Sequence, residues 1–163
     1  MINIGGNNAI SQLNGIKEGD VQPNAVDLRV EKVWRIENDV FTISEETKVH
    51  RGNREFEPWD DGYFYLENGS YLVMMENYIR VAEGEAGWVI TRSTLIRNGV
   101  HLSTGLYDSG YEGRMFSTLH VNGGLMRIKP GTRIGQYLCF KSESLHTYDG
   151  DYGTGKSFDE THS

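Results

Sequence analysis

The sequence has one cysteine, Cys139, so it can form no internal disulfide and no thiolate zinc cluster. Its 3 prolines stand against 20 glycines, a ratio that favours many tight turns over a stiff or low-complexity linker. No apolar run approaches the roughly 20 residues of a membrane span, and the N-terminus lacks a charged-then-apolar leader, so a cytoplasmic protein without membrane contact is expected. Basic charge is also scarce. Lys+Arg 16 against Asp+Glu 23 gives a net charge of -7, which excludes the broad cationic field that grips polymeric nucleic acid. A small anion remains admissible, because a few local cations and backbone amides can hold one within an acidic whole. The 5 histidines (His50, His101, His120, His146 and His162) form no HxxxH or HExxH pattern, so no histidine metal site is expected.

What is present is enough for one folded domain: 163 residues, 37% hydrophobic and 11% aromatic. Residues 1–20 are rich in Gly and Asn, with one short helix expected around Ala9 to Lys17. From Val26 onward short apolar runs recur between turn signals: Val26–Val30, Val33–Ile36, Tyr63–Leu66, Tyr71–Met75, Tyr78–Val81, Gly87–Ile90, Met115–Val121, Leu125–Ile128 and Ile134–Phe140. Asn98-Gly99, Asn122-Gly123-Gly124 and Lys129-Pro130-Gly131 supply the turn chemistry between them. Strands this short, at this spacing, predict an all-β barrel or sandwich. Residues 46–62 are charged and uneven, as in an exposed loop or hairpin tip. The expected organisation is a β domain over 1–147 and a flexible Gly-rich arm over 148–163.

Chemistry-bearing residues concentrate between Thr91 and Phe140. Arg92-Ser93-Thr94 follows an apolar strand, and a guanidinium fork beside two hydroxyls suits phosphate oxygens, as it also suits a surface salt bridge. Gly105-Leu106-Tyr107-Asp108-Ser109-Gly110-Tyr111 places a carboxylate in a turn with an aromatic three residues on. That fits either a general base beside a stacking ring or an ordinary hairpin. Gln136, on an apolar run, is either a satisfied polar residue or a ligand donor. Asp27 sits between Val26 and Leu28, and alternation leaves open whether it faces inward, where it needs a partner or a metal, or outward. Gly150 to Ser157 formally matches GxxxxGK[ST], yet too few residues follow for the strand–loop–helix unit of a true phosphate loop.

In this order the segments QPNAVDLRV (22–30), RSTLIRNG (92–99), GLYDSGYEG (105–113), PGTRIGQ (130–136) and the Gly-rich tail (150–157) resemble the dUTPase and dCTP deaminase superfamily. The resemblance covers almost the whole chain from about residue 9. It implies a distorted β-barrel or jelly-roll of the β-clip type, assembled as a homotrimer with sites at subunit interfaces, and a deoxynucleoside triphosphate bound with Mg²⁺. Carried over by position, Asp108 is the general base and Tyr111 the sugar platform. Arg92, Ser93, Thr94 and Gln136 hold phosphates, and Asp27 anchors the Mg²⁺ through water. Ser103, Thr104, Gly105 and Leu106 read the uracil edge, and Gly153, Gly155, Lys156 and Phe158 belong to the closing tail. Arg97 matches a deaminase arginine without an assigned role.

The N-terminal motifs resemble the deaminase branch and GLYDSGYEG resembles the dUTPase branch. Deaminases of this superfamily carry their catalytic glutamate ten residues after the motif Asp, where this chain has Thr118. A hydroxyl cannot shuttle the protons that attack at C4 requires. The resemblance therefore implies a dUTP diphosphatase. The alternatives are a dCTP deaminase or bifunctional relative, and a catalytically weak nucleotide-binding regulator acting through a protein partner, with residues 46–62 as the contact. A small acidic chain mixing two branches also suits a viral protein in a host cytoplasm.

Overall fold

The structure is a computed structural model, and it describes residues 1–162. The elements in chain order are β1 (Gln12–Asn14), β2 (Val26–Ile36), β3 (Thr42–Ile43), β4 (Lys48–Val49), β5 (Asn53–Phe56), β6 (Phe64–Leu66), β7 (Gly69–Arg80), β8 (Glu85–Thr91), α1 (Ser93–Ile96), β9 (Val100–Ser103), β10 (Glu112–Val121), β11 (Met126–Ile128), β12 (Arg133–Lys141) and α2 (Ser157–His162). The main sheet runs in the order β8-β12-β2-β7-β10-β9, all neighbours antiparallel. It bends until its two edges meet. Gly87 on β8 exchanges both backbone bonds with Tyr107, just beyond β9, and Leu102 N–H donates to Thr91 Oγ1 at 2.8 Å. The expected distorted β-barrel is thus present, and near-closure satisfies edges that would otherwise be open to pairing.

Alternation built this sheet. On β10 the odd-numbered Met115, Leu119 and Val121 face the core beside Val73, Met75, Ile79 and Tyr137, while Arg114, Phe116 and Thr118 face outward. Two pairs of expected strands are each one continuous strand. Glu76-Asn77 reads as a polar interruption, yet Asn77 is buried and its amide donates to Asn14 O while accepting from Arg29 N–H, so β7 runs through it. Likewise β2 absorbs Glu31-Lys32 as a bulge against β7.

The helix expected around Ala9 to Lys17 is absent; the segment forms β1, paired to the end of β7. Buried Glu85 explains the difference. Its carboxylate accepts from the N–H groups of Ile10 and Ser11 at 2.9 and 2.8 Å and from Lys141 Nζ at 2.9 Å, which holds this stretch extended. Burial alone would raise the Glu85 carboxyl, but these bonds win and hold it at about 2.

The C-terminal arm, expected to be flexible, lies folded against the barrel and ends in α2. Thr154 N–H bonds Glu112 O at 2.9 Å, so the arm crosses β10 at backbone distance. That crossing requires two glycines: a Cβ on Gly153, whose φ is +112, would meet Glu112 O at 2.6 Å, and one on Gly113 would meet Gly153 Cα at 2.9 Å. Residues 46–62 are largely exposed. The small β3–β4 hairpin stands out from the barrel, and β5 returns to pair with β2. Among the described residues no helix is long and apolar enough to cross a membrane.

Candidate active site

Two clusters of the expected residues form, on separate parts of the barrel. The first surrounds Asp27, which lies on the face of β2 opposite the core residues Val26 and Leu28 and is fully buried beneath its partners. Gln136 Nε2 donates to its Oδ1 at 2.9 Å, and Arg92 Nε and Arg133 Nη1 both reach its Oδ2 at 3.3 Å. Arg133 and Gln136 are three residues apart on β12 and would face opposite ways on a regular strand. A bulge between Arg133 and Gly135 removes one step, so both side chains converge on Asp27. Arg133 lies inside the PGTRIGQ motif, and its turn toward Asp27 has no signature in alternation, because a bulge produces it.

Arg29, nearby, is committed elsewhere. Its Nε and Nη2 clasp buried Asp20 and its Nη1 donates to Gly131 O at 2.8 Å. Burial would raise the Asp20 carboxyl, but the Arg29 fork and the Lys17 N–H keep it below the usual carboxylate range. Arg92 and Arg133 differ: their side chains remain 28% and 35% exposed, so part of each fork is open to an anion. Ser93 and Thr94 are exposed beside Arg92, and Arg97, also exposed, lies outside the cluster.

The second cluster lines a cavity of about 520 Å³. One wall is the segment Ser103 to Tyr107 with Tyr111; another is the outer face of β10 at Phe116 and Thr118. The arm covers it with Tyr148, Tyr152, Phe158 and Asp159, and His50 reaches it from the 46–62 segment. The Ser103–Tyr111 stretch is firmly held. Thr104 Oγ1 donates to Val89 O at 3.0 Å, Ser109 Oγ to Glu85 O at 2.5 Å, and Ser103 Oγ is paired with His120 Nε2 at 2.9 Å. His120 is in turn paired to Ser70 Oγ; burial and the stacked His101 ring lower its pKa. Gly105 has open space where a Cβ would be, and Leu106 is exposed, so the turn presents backbone to the cavity.

Tyr111 is buried edge-on between Tyr107 and Tyr148, its hydroxyl donating to Arg114 O at 2.9 Å. Burial pushes its phenol well above the ordinary range, so it serves as a neutral ring. Asp108 is exposed between buried Tyr107 and Ser109, its backbone fixed by the Tyr111 N–H bond to its carbonyl. Thr118 stands opposite Ser103 across the β9–β10 ladder, so the deaminase glutamate position falls in the cavity wall and carries a hydroxyl. Phe158 packs against His50, Phe116, Tyr152 and His162. Gly153 is buried at the β10 crossing, while Gly155 and Lys156 are exposed, Lys156 in a neighbouring cleft with Lys48 and Arg51.

The two clusters share no residue within one chain: none of Asp27, Arg92, Arg133 and Gln136 lines the cavity, and Tyr107, tied to Gly87, lies about 13 Å along β8 from Thr91, the residue before Arg92, at ~3.3 Å per residue. The Asp27 pocket also does not fit the metal role that the motif implies. Both carboxylate oxygens are engaged by two guanidiniums and an amide, and no accessible surface remains for a hydrated ion. Among the described residues no group of three or more His, Cys, Asp or Glu side chains is arranged to hold a metal.

Comparison with known proteins shows the family and the fold. A deoxyuridine 5'-triphosphate nucleotidohydrolase of Methanocaldococcus jannaschii is 33% identical over 152 residues, covering 91% of this chain and 97% of the relative. A probable enzyme of the same name from Methanopyrus kandleri is 33% identical over 141 residues, covering 85% and 90%. Among solved structures, the 2'-deoxycytidine 5'-triphosphate deaminase of Agrobacterium tumefaciens superposes with a TM-score of 0.60 at 16% identity, over 78% of this chain and 43% of that one. The EIAV dUTPase superposes at 0.54 and 15% identity, over 90% and 97%. The dUTPase of phage phi11 of S. aureus, described with a structural Mg(II) ion, superposes at 0.55 and 12% identity, over 89% and 99%. Residues 6–142 match the dCTP deaminase-like family, and the chain belongs to it.

Proposed function

We propose that this protein hydrolyses dUTP to dUMP and pyrophosphate. The observation that carries the reading is the make-up of the second cluster: a nucleoside-sized cavity lined by Tyr107 and Tyr111, which flank the motif carboxylate Asp108 in sequence, and by Thr118 where deamination requires a carboxylate. The archaeal relatives named as deoxyuridine triphosphate nucleotidohydrolases support it.

In this reading the backbone of Ser103 to Leu106 reads the uracil edge, an N–H toward O4 and a carbonyl toward N3–H. A cytosine, with that polarity reversed, would leave both groups unpaired. Tyr111 lies under the deoxyribose, and Phe158 closes the cavity from the arm. Asp108 takes a proton from water as that water attacks the α-phosphorus in line. The bond from the α-phosphorus to its bridging oxygen breaks, and pyrophosphate leaves. The open forks of Arg92 and Arg133, with Ser93 and Thr94, offset the charge that develops on the phosphates. Gln136 holds the Asp27 carboxylate from which those forks are aimed. The substrate enters as its Mg²⁺ complex, the ion carried by the triphosphate oxygens, which suit a hard cation.

The gap between the two clusters gives oligomerisation a chemical purpose. The arginine cluster of one copy meets the Asp108 cavity of another, and a closed homotrimer supplies three such sites.

Hydrolysis of dUTP in ¹⁸O-water tests the assignment of the attacked atom. One label is expected in the dUMP phosphate and none in pyrophosphate. Label in pyrophosphate, or release of dUDP and orthophosphate, would contradict it.

A further inference from the structure

Among the described residues, two polar atoms in the walls of the nucleoside cavity are buried without a hydrogen-bond partner: Asp159 Oδ2 and Ser117 Oγ. Asp159 comes from the arm, is 6% exposed, and uses only its Oδ1, which accepts from Gly153 N–H at 2.9 Å. Burial raises its carboxyl, with the Gly153 bond and His162 opposing. An orphaned buried carboxylate oxygen is expensive to keep, and protein interiors rarely retain one without use.

Its place in the cavity indicates what it would bind. Asp159 Oδ2 lies 3.3 Å from where a Gly113 Cβ would stand, and the charge is felt by the phenols of Tyr107 and Tyr111. Thr118, which marks the base end opposite Ser103, is five residues further along β10, about 17 Å at ~3.4 Å per residue. Asp159 therefore sits at the sugar end. A carboxylate accepts hydrogen bonds and repels phosphate, so it requires a donor. At neutral pH dUTP has two donors, N3–H and the 3′-hydroxyl, and the Ser103–Leu106 segment occupies the end where N3–H would lie.

We propose that Asp159 is a specificity-determining residue that accepts a hydrogen bond from the 3′-hydroxyl of the deoxyribose when the arm covers the cavity. This rests on the dUTP reading above and adds a substrate-sensing role to the arm. A nucleotide lacking the 3′-hydroxyl leaves the carboxylate orphaned, and arm closure over it is correspondingly weaker.

The test compares dUTP with 2′,3′-dideoxyuridine triphosphate. The wild-type protein is expected to use the dideoxy substrate with kcat/KM lower by roughly 10- to 100-fold, the scale of a charge-assisted hydrogen bond. Asp159→Ala is expected to lower turnover of dUTP much more than that of the dideoxy substrate, so that the ratio collapses toward one. Asp159→Asn, which keeps the acceptor for Gly153 N–H, should also shrink the ratio while its Tm stays level or rises. A merely structural Asp159 would instead lower Tm and preserve the ratio. Calorimetric binding of the non-hydrolysable α,β-imido-dUTP and its 3′-deoxy analogue gives the same comparison without turnover. Absence of dUTP hydrolysis would sink the proposed function. Equal handling of the two nucleotides, in turnover and binding alike, would sink only the role of Asp159.

Discussion

Replacing Asp108 with Asn is expected to lower kcat for dUTP by about 10³- to 10⁴-fold, leaving KM within a few-fold of wild type. The asparagine amide cannot take the proton of the attacking water, and a loss of that size corresponds to about 4–5 kcal/mol of transition-state stabilisation. The structure also indicates why the loss should be confined to chemistry. Asp108 is exposed, its carbonyl still accepts the Tyr111 N–H, and the flanking Tyr107 and Ser109 are held through Gly87 and Glu85 O. Tm should stay within about 1 °C of wild type, and α,β-imido-dUTP should bind with unchanged affinity. Turnover reduced less than tenfold would remove Asp108 from the role of base.

Asp27→Ala is the second large effect, and it separates two roles for one residue. If Asp27 organises the Arg92–Arg133–Gln136 cluster, its loss leaves two neighbouring guanidiniums without their shared counter-charge and Gln136 without its acceptor. A destabilisation of about 3 kcal/mol is expected, the scale for stripping one partner from a buried pair. For a chain of this size that lowers Tm by on the order of 10 °C. Pyrophosphate should bind no more weakly to the folded variant, because the site has lost a negative charge. Were Asp27 instead a water-mediated metal anchor, Tm would barely move and the Mg²⁺ concentration needed for turnover would rise steeply. Thermal melts beside a Mg²⁺ titration of dUTP turnover distinguish the two.

Much of this architecture was legible because turn chemistry and period-2 alternation are local signals. The Gly and Asn turns bounded β9 through β12 closely, and the barrel followed from strand length and spacing. The failures share a cause, which is long-range satisfaction of a polar group. The helix expected near Ala9 is overridden by the carboxylate of Glu85, 74 residues away from Ser11. The break expected in β7 is bridged by the Asn77 amide. Alternation sets Arg133 on the face opposite Gln136, and a bulge, invisible in the pattern, turns it to the same side. The motifs singled out Arg92 and Gln136, which converge on Asp27, and Tyr111, which lines the cavity. The burial of Asp27 under two arginines and the buried seat of Asp159 were not legible, since neither alternation nor a glycine-rich tail states which surface a side chain meets. In the arm the readable clue was aromatic: Tyr148, Tyr152 and Phe158 are costly residues to leave in water, and all three line the cavity.

The central claim is that this chain cleaves dUTP and does not deaminate dCTP. The direct measurement is a turnover panel of dUTP, dCTP, dTTP and UTP with Mg²⁺, following pyrophosphate and ammonia in parallel on the purified protein. The account predicts pyrophosphate from dUTP, at least 100-fold less from the other three, and no ammonia. Ammonia from dCTP would contradict it, because a carboxylate other than the one absent at Thr118 would then be carrying protons to the base.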